Sequence, residues 1–160
     1  MNENDKLGIC LLSQIVLLIV ATFLLFSNFY TARQAGVARD MRRAAKKIEF
    51  VVTDKENEFA SSNYVRYDLI CSITNDSRKT FNKISGTLKI MDQKGNVLSS
   101  GEAWFSGTFE PGSKKEFRLS WESSITDKAL QAYEADFSEL KFSYIIEEVT
   151  YDGYRVVEIR

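Results

Sequence analysis

A chain of 160 residues with 22 acidic and 21 basic side chains, net charge −1, lacks the surplus of positive charge that marks a nucleic-acid binder. The absence of histidine removes serine–histidine and cysteine–histidine catalysis, imidazole metal sites and the usual general base near neutral pH. Two cysteines, Cys10 and Cys71, stand far apart in different settings, so no disulfide framework is expected, and no CxxC is present for zinc or redox work.

Residues 1–6 form a short polar tail. The stretch that follows, LGICLLSQIVLLIVATFLLFSNFYTA, carries no charge, and at roughly 1.5 Å per helical residue it can cross a ~30 Å hydrocarbon core with some tilt. A transmembrane helix over residues 7–30 is therefore predicted. Its apolar run is about twice the usual 7–15 residues of a secretory signal, and the nearest small-residue site, Gly36-Val37-Ala38, lies beyond Arg33, so the expectation is a retained anchor. Lipid attachment at Cys10 does not fit, because the apolar stretch follows the cysteine and Ile9 is bulky where a small residue is needed.

Residues 31–47 read as a basic juxtamembrane helix or stalk. Val37, Met41, Ala45 and Ile48 fall at spacings of four, four and three, a thin apolar stripe beside Arg39, Arg42, Arg43, Lys46 and Lys47. These five cations are the candidate contacts to anionic lipid headgroups; the alternative is a solvated stalk whose charges stop the helix sliding into lipid. Counting Lys and Arg on either side of the span places the following domain in the cytoplasm. The architecture of a bare anchor with a small β-domain is commoner at surfaces and in periplasms. The extracytoplasmic side is taken as the expectation, with the cytoplasm as the alternative.

Residues 48–160 read as one β-domain. A first strand spans residues 48–53, and residues 54–63 form a polar loop. In the next strand Val65, Tyr67, Leu69, Cys71 and Ile73 alternate with Arg66, Asp68, Ile70 and Ser72, one face apolar and the other mostly polar. Asn75-Asp76-Ser77 ends it with turn formers. Ile84, Gly86, Leu88 and Ile90 mark a third strand, and residues 92–96 turn the chain into a fourth, from Val97 to Trp104 and Phe105. Glu110-Pro111-Gly112-Ser113 is the next turn, followed by Phe117, Leu119 and Trp121 on one face of a fifth strand. Thr126 caps a short helix over residues 127–134. Leu140, Phe142, Tyr144 and Ile146 alternate in a sixth strand, Asp152-Gly153 suits a two-residue hairpin turn, and residues 155–159 close the domain. About seven antiparallel strands with one short helix make an all-β, immunoglobulin-like sandwich the predicted fold.

Three phrases, Thr74-Asn75-Asp76-Ser77 at a strand end, Leu88-Lys89-Ile90-Met91-Asp92 ahead of Lys94-Gly95, and Phe109-Glu110-Pro111-Gly112 followed by Phe117, together resemble the FxLYD-type domain of prokaryotic envelope proteins. The resemblance covers residues 64–121. Leu88, Ile90, Met91 and Asp92 stand where that family has Phe, Leu, Tyr and Asp, so Asp92 alone keeps the named letter. It implies a small extracytoplasmic β-sandwich and carries over no functional residue. The N-terminus also resembles type IV pilins, with a short polar leader ending at Gly8, a long apolar helix, Tyr30-Thr31-Ala32-Arg33 where the helix emerges, and a β-rich head. Ser13 stands where most pilins have a glutamate.

Carboxylates cluster at Glu56 and Glu58, at Glu134, Asp136 and Glu139, and at Glu147 and Glu148, none with the spacing of a calcium loop, and are read as solvated surface charge. Cys71 is read as a small buried hydrophobe, and Trp104 and Trp121 as core residues before floors of a binding groove. Tyr64 and Ile70 on the outward face of their strand, with Tyr151 and Tyr154 beside a hairpin, form a candidate contact patch. No catalytic residue, metal ligand or cofactor is expected. The functional expectation is a single-pass, membrane-anchored, non-catalytic binding or assembly module with a protein partner; the alternative is a pilin-like subunit that assembles through its apolar helix.

Overall fold

The structure, a computed structural model, describes residues 3–151, 154–157 and 159, with side chains from Gln14 onward except those of Asn57, Tyr154, Arg155 and Val157. Two compact units divide between Asp40 and Met41. Helix α1 spans Glu3–Ala45 and places Arg42 and Arg43 in its last turn, where the negative end of the helix dipole favours cations. Its described apolar portion has a mean hydropathy of 2.1 with none of it buried, a length and composition that can cross a membrane. The hydroxyls of Thr22 and Thr31 donate back to the carbonyls of Leu18 and Ser27, at 2.7 and 2.8 Å, so these polar groups are satisfied within the helix.

Beyond α1 lie strands β1 (Ile48–Ala60), β2 (Tyr64–Asn75), β3 (Phe81–Met91), β4 (Val97–Phe109), β5 (Lys114–Ser124), helix α2 (Asp127–Glu134), a 3-10 turn (Phe137–Glu139), β6 (Lys141–Tyr151) and β7 (Tyr154–Val157). All pairings are antiparallel. One sheet has the order β1-β2-β5 and the other β4-β3-β6-β7. The strongest alternation in the sequence becomes the centre of the first sheet, with Val65, Tyr67, Leu69, Cys71 and Ile73 all buried. Burying Val65, Leu69 and Ile73 stabilises the fold by roughly 1.5–3 kcal/mol each.

The two sheets meet through rings. Phe50 of β1 contacts Phe105 of β4 and Tyr144 of β6 at centroid distances of 5.6 and 4.5 Å, and Phe117 of β5 lies 5.2 Å from Phe105 and 5.7 Å from Phe109. Tilted aromatic pairs at these distances each add about 0.5–1.5 kcal/mol beyond their buried area. Trp121 of β5 lies over Gly101 of β4 so closely that an added Cβ would come within 2.9 Å of the indole, and its Nε1–H donates to Ser99 Oγ at 3.0 Å. Gly86 is required for another reason: a Cβ there would collide with the Ile145 carbonyl of β6, beside the register shift between Ser85 and Gly86.

Several sequence expectations are met closely. Thr126 Oγ1 accepts the Ala129 amide at 3.1 Å as the cap of α2. Gly112 has φ +74° behind Pro111, and the Ser113 amide closes the turn onto the Glu110 carbonyl at 3.0 Å, the geometry of a type II turn. Gly95, at φ +87°, turns the β3–β4 connection.

The polar loop expected at residues 54–63 is a correction: β1 runs on to Ala60 and only residues 61–63 connect it to β2. A register shift between Val52 and Asp54 rephases the strand so that Lys55 pairs with inward-facing Leu69. A lysine at a core position erases the alternation from which strands are read. β4 likewise reaches Phe109, beyond the expected end at Phe105. The Asp152-Gly153 turn lies outside the described residues, and β7 is described over Tyr154–Val157.

Candidate functional site

The five candidate lipid contacts, Arg39, Arg42, Arg43, Lys46 and Lys47, are all exposed. Of the stripe beside them, Met41 and Ala45 are buried, as is Ala44. Those apolar positions are occupied within the protein and are not free for lipid. Val37 and Ile48 of the stripe are half-buried, and Asp40 is exposed among the five cations.

The candidate contact patch divides. Tyr64 and Ile70 are half-buried on β2, with Ile70 paired between Asp54 and Arg118. The Tyr64 ring meets Phe59 at 5.9 Å, and Phe59 in turn underlies the Arg66 guanidinium at 5.6 Å. Tyr151 ends β6 in the other sheet, with Lys79 Nζ 5.8 Å from its ring centre. Lys79 follows the far end of β2, 11 residues beyond Tyr64 at Asn75, or roughly 36 Å along a strand at ~3.3 Å per residue. Tyr64 and Tyr151 therefore occupy opposite ends of the head. The Tyr154 side chain lies outside the described residues.

Trp121 is buried as expected; Trp104 corrects the reading, being 61 % exposed with Lys83 Nζ 6.0 Å from its ring centre. Cys71 is buried, and burial pushes its thiol up to about 12, far from the thiolate that a nucleophile needs. Among the carboxylates, Glu56 pairs with Arg118 at 2.9 Å, Glu58 with Lys55 at 2.7 Å, and Glu147 accepts the Thr87 hydroxyl at 2.9 Å. Glu134 and Glu139 rim a cleft. Among the described residues no three His, Cys, Asp or Glu side chains gather as a metal-binding group.

That cleft, about 700 Å³, lies between α2, the β3–β4 turn and the start of β6. Leu98, Leu130 and Leu140 contribute apolar lining, and Asp92, Asp127, Glu134 and Glu139 give its rim a negative bias against the single Lys94. Asp92 is held below the ordinary carboxylate range, first by the Asn96 side chain, which donates to Oδ2 at 2.7 Å, and then by the Asn96 amide at 2.8 Å. Lys141 Nζ and Gln93 Nε2 tie this turn to the β6 side, bonding Gln93 O at 2.6 Å and Ser138 O at 2.8 Å.

Two buried polar side chains pin the head. Lys55, its side chain 3 % exposed, donates from Nζ to the carbonyls of Ala132, Tyr133 and Ala135 at 3.3, 2.8 and 2.7 Å, and so caps the C-terminal end of α2. The same ammonium lies 5.4 Å from the Tyr67 ring centre. Burial, and then Glu58, raise the Tyr67 phenol above its usual value, and its hydroxyl finds no partner among the described residues. Asn75 Nδ2 donates to the carbonyls of Lys79 and Phe109, both at 2.8 Å, while Oδ1 accepts the amide and hydroxyl of Ser77 at 3.1 and 2.7 Å. Its backbone pairs with Ser113 and Gly112. One residue, through side chain and backbone together, thus joins the end of β2, the β2–β3 loop, the end of β4 and the β4–β5 turn. Neither residue stood out in the sequence: Lys55 was hidden in an apparent loop, and Asn75 read as a turn former.

No protein-family model matches the chain, and no curated protein is similar to it. Among solved structures, a Northeast Structural Genomics Consortium target, SoR45, is similar over 70 % of this chain and 87 % of that one, at 10 % identity and a TM-score of 0.37. A β-glucosidase from Kluyveromyces marxianus, in complex with glucose, is similar over 69 % of this chain at 12 % identity and a TM-score of 0.25, and the chain spans 15 % of that enzyme. Likenesses this loose carry no argument about function.

Proposed function

We propose that the chain is a single-pass, membrane-anchored binding or assembly module whose immunoglobulin-like head performs no reaction. The observation that carries this reading is the apolar helix followed by a belt in which all five cations are exposed while Met41 and Ala45 are buried. Such a segment meets a bilayer through insertion of the helix and through charge, each cation near an anionic surface contributing about 1 kcal/mol. Support for the immunoglobulin-like assignment comes from strand order. Reading β1 to β7 in sequence, the sheets 1-2-5 and 4-3-6-7 correspond to the arrangement in which strands A, B and E face C′, C, F and G. The FxLYD resemblance is consistent with it, since two of its phrases meet at Asn75. The apolar run, about twice a secretory signal's length, favours a retained anchor.

Flotation of the full chain with vesicles tests this directly. It should remain with lipid after alkaline carbonate extraction, keep an intact N-terminus, and gain peripheral affinity with anionic lipid content in a salt-sensitive way that neutralising Arg39, Arg42 and Arg43 weakens. Release by carbonate overturns the anchor, and loss of residues 1–8 supports the pilin-like subunit instead. For the side of the membrane, the extracytoplasmic reading expects trypsin to cut at exposed Lys94 in intact cells without detergent. Lys55 is unsuitable as a reporter because its side chain is buried.

A further inference from the structure

The head has four sheet edges, and three of them are blunted. β1 carries five charged side chains and two register shifts, β5 carries five charged side chains, and β7 has four residues among those described. These are the devices that stop sheets pairing edge to edge. β4 has 13 residues, one charge (Glu102) and no proline, and among the described residues it pairs only with β3. Beside this edge Trp104 stands exposed.

We propose that β4 is an assembly edge, and that its occupant is β4 of a second copy, paired antiparallel about a two-fold axis at Ala103. The proposal deepens the assembly reading above and depends on it for the biological setting. Its register comes from backbone geometry. Tyr144 of β6 donates its hydroxyl to the Ala103 carbonyl at 3.0 Å, reaching past β3 at side-chain-free Gly86, which is paired to both Ala103 and Ile146. Strands are ~4.8 Å apart, so a phenol from two strands away meets that carbonyl only on the β3 side of β4. Backbone groups alternate between the two sides of an antiparallel strand. The free groups therefore belong to Ser100, Glu102, Trp104 and Ser106. Symmetry about Ala103 sets Glu102 opposite Trp104 of the second copy and Ser100 opposite its Ser106, so free groups face free groups throughout. Gly107, at φ +132°, ends the regular stretch.

Charge agrees with that register. Lys83 already lies beside Trp104, its Nζ 6.0 Å from the ring centre. Glu102 of one copy, placed opposite Trp104 of the other, reaches the neighbouring Lys83, and symmetry repeats the pair. A shift that set Glu102 against Glu102 would oppose like charges. An isologous contact of this kind closes as a dimer and leaves β1 and β5 blunt, so it does not propagate.

Sedimentation of the full chain in detergent, with photobleaching step counts in vesicles, tests the pairing. The wild type should dimerise. Glu102→Lys should weaken the dimer by about tenfold, since two symmetry-related pairs turn repulsive, and Lys83→Glu with Glu102→Lys should restore it. Glu102→Pro removes an outward amide that β3 does not use, so it should abolish dimerisation while the melting temperature stays near wild type. A chain that is monomeric in vesicles at every density overturns the proposal, as does a dimer indifferent to both the proline and the charge swap, which would point to α1. Flotation read on the same samples reports the membrane anchor separately.

Discussion

Each end of the head is pinned by one buried side chain that donates to backbone carbonyls, and the two ends differ in charge. At the β2–β3 end the pin is the neutral amide of Asn75, which donates twice, accepts twice and is fully buried. At the α2 end it is the ammonium of Lys55, with Glu58 as counter-ion and the open cleft nearby. A neutral network has its whole worth in geometry and is indifferent to salt and to pH between the carboxylate and amine ranges. A charged pin offsets its own desolvation with carbonyl dipoles and one partly exposed carboxylate, so it is the weaker of the two for the same number of bonds. The Asn75 end should therefore stay closed while the α2 end opens first.

Asn75→Leu should cost the head the most stability. It removes both donations and both acceptances at once and leaves the Lys79 and Phe109 carbonyls without that donor. The expected loss is about 3 kcal/mol, read as a lower urea midpoint with an unchanged slope. A loss under about 1 kcal/mol would mean that water replaces the amide and that this end is no tighter than the other.

The same two residues show where sequence reading succeeds and where it fails. β2 and β5 were legible because a half-buried strand must alternate, and the cap of α2 was legible because a threonine ahead of a helical pattern has few other uses. The turn at Glu110–Ser113 was legible because proline suits the second position of a turn, and the structure adds its type. The second half of β1 was not, because its inward residue is a lysine whose justification, the carbonyls of Ala132, Tyr133 and Ala135, lies nearly 80 positions further along the chain. Asn75 presented the opposite difficulty. A local role as a turn former explained it sufficiently, while its bond to Phe109 is 34 residues away. Trp104 fell between these cases. It sits one residue out of phase with the inward positions Ala103 and Phe105, and a reading of the fourth strand's phase would have placed it outside.

Lys55→Met should cost the α2 end less. Methionine keeps the apolar stem and removes the ammonium, so three carbonyls lose a charged donor while Glu58, itself partly exposed, returns to water. The expected loss is about 1–2 kcal/mol, below that of Asn75→Leu because the buried charge's desolvation is relieved as well. Amide exchange should rise through α2 and leave the amides of Asn75 and Gly112 protected. Equal acceleration at both ends would show the head opening as one unit, and the distinction between its pins would fail.

The smallest effect is the most selective, because it separates the ends by pH alone. Asp92 lies on the cleft side, and its bonds to the side chain and amide of Asn96 lower its affinity for protons below the ordinary value of 3.8. A carboxyl whose folded value is depressed contributes stability that is fully present above the unfolded value and disappears as pH falls through the folded one. Acid should therefore loosen the β3–β4 turn as pH drops from about 4 downward, and exposure to solvent keeps the effect small. Asn75 carries no titrating group, so its end should hold across the same range. In Asp92→Asn the turn should lose that acid-dependent step while the Asn75 amides exchange as before. If the step persists in the variant, Asp92 is not its source and the contrast in pH response between the two ends fails.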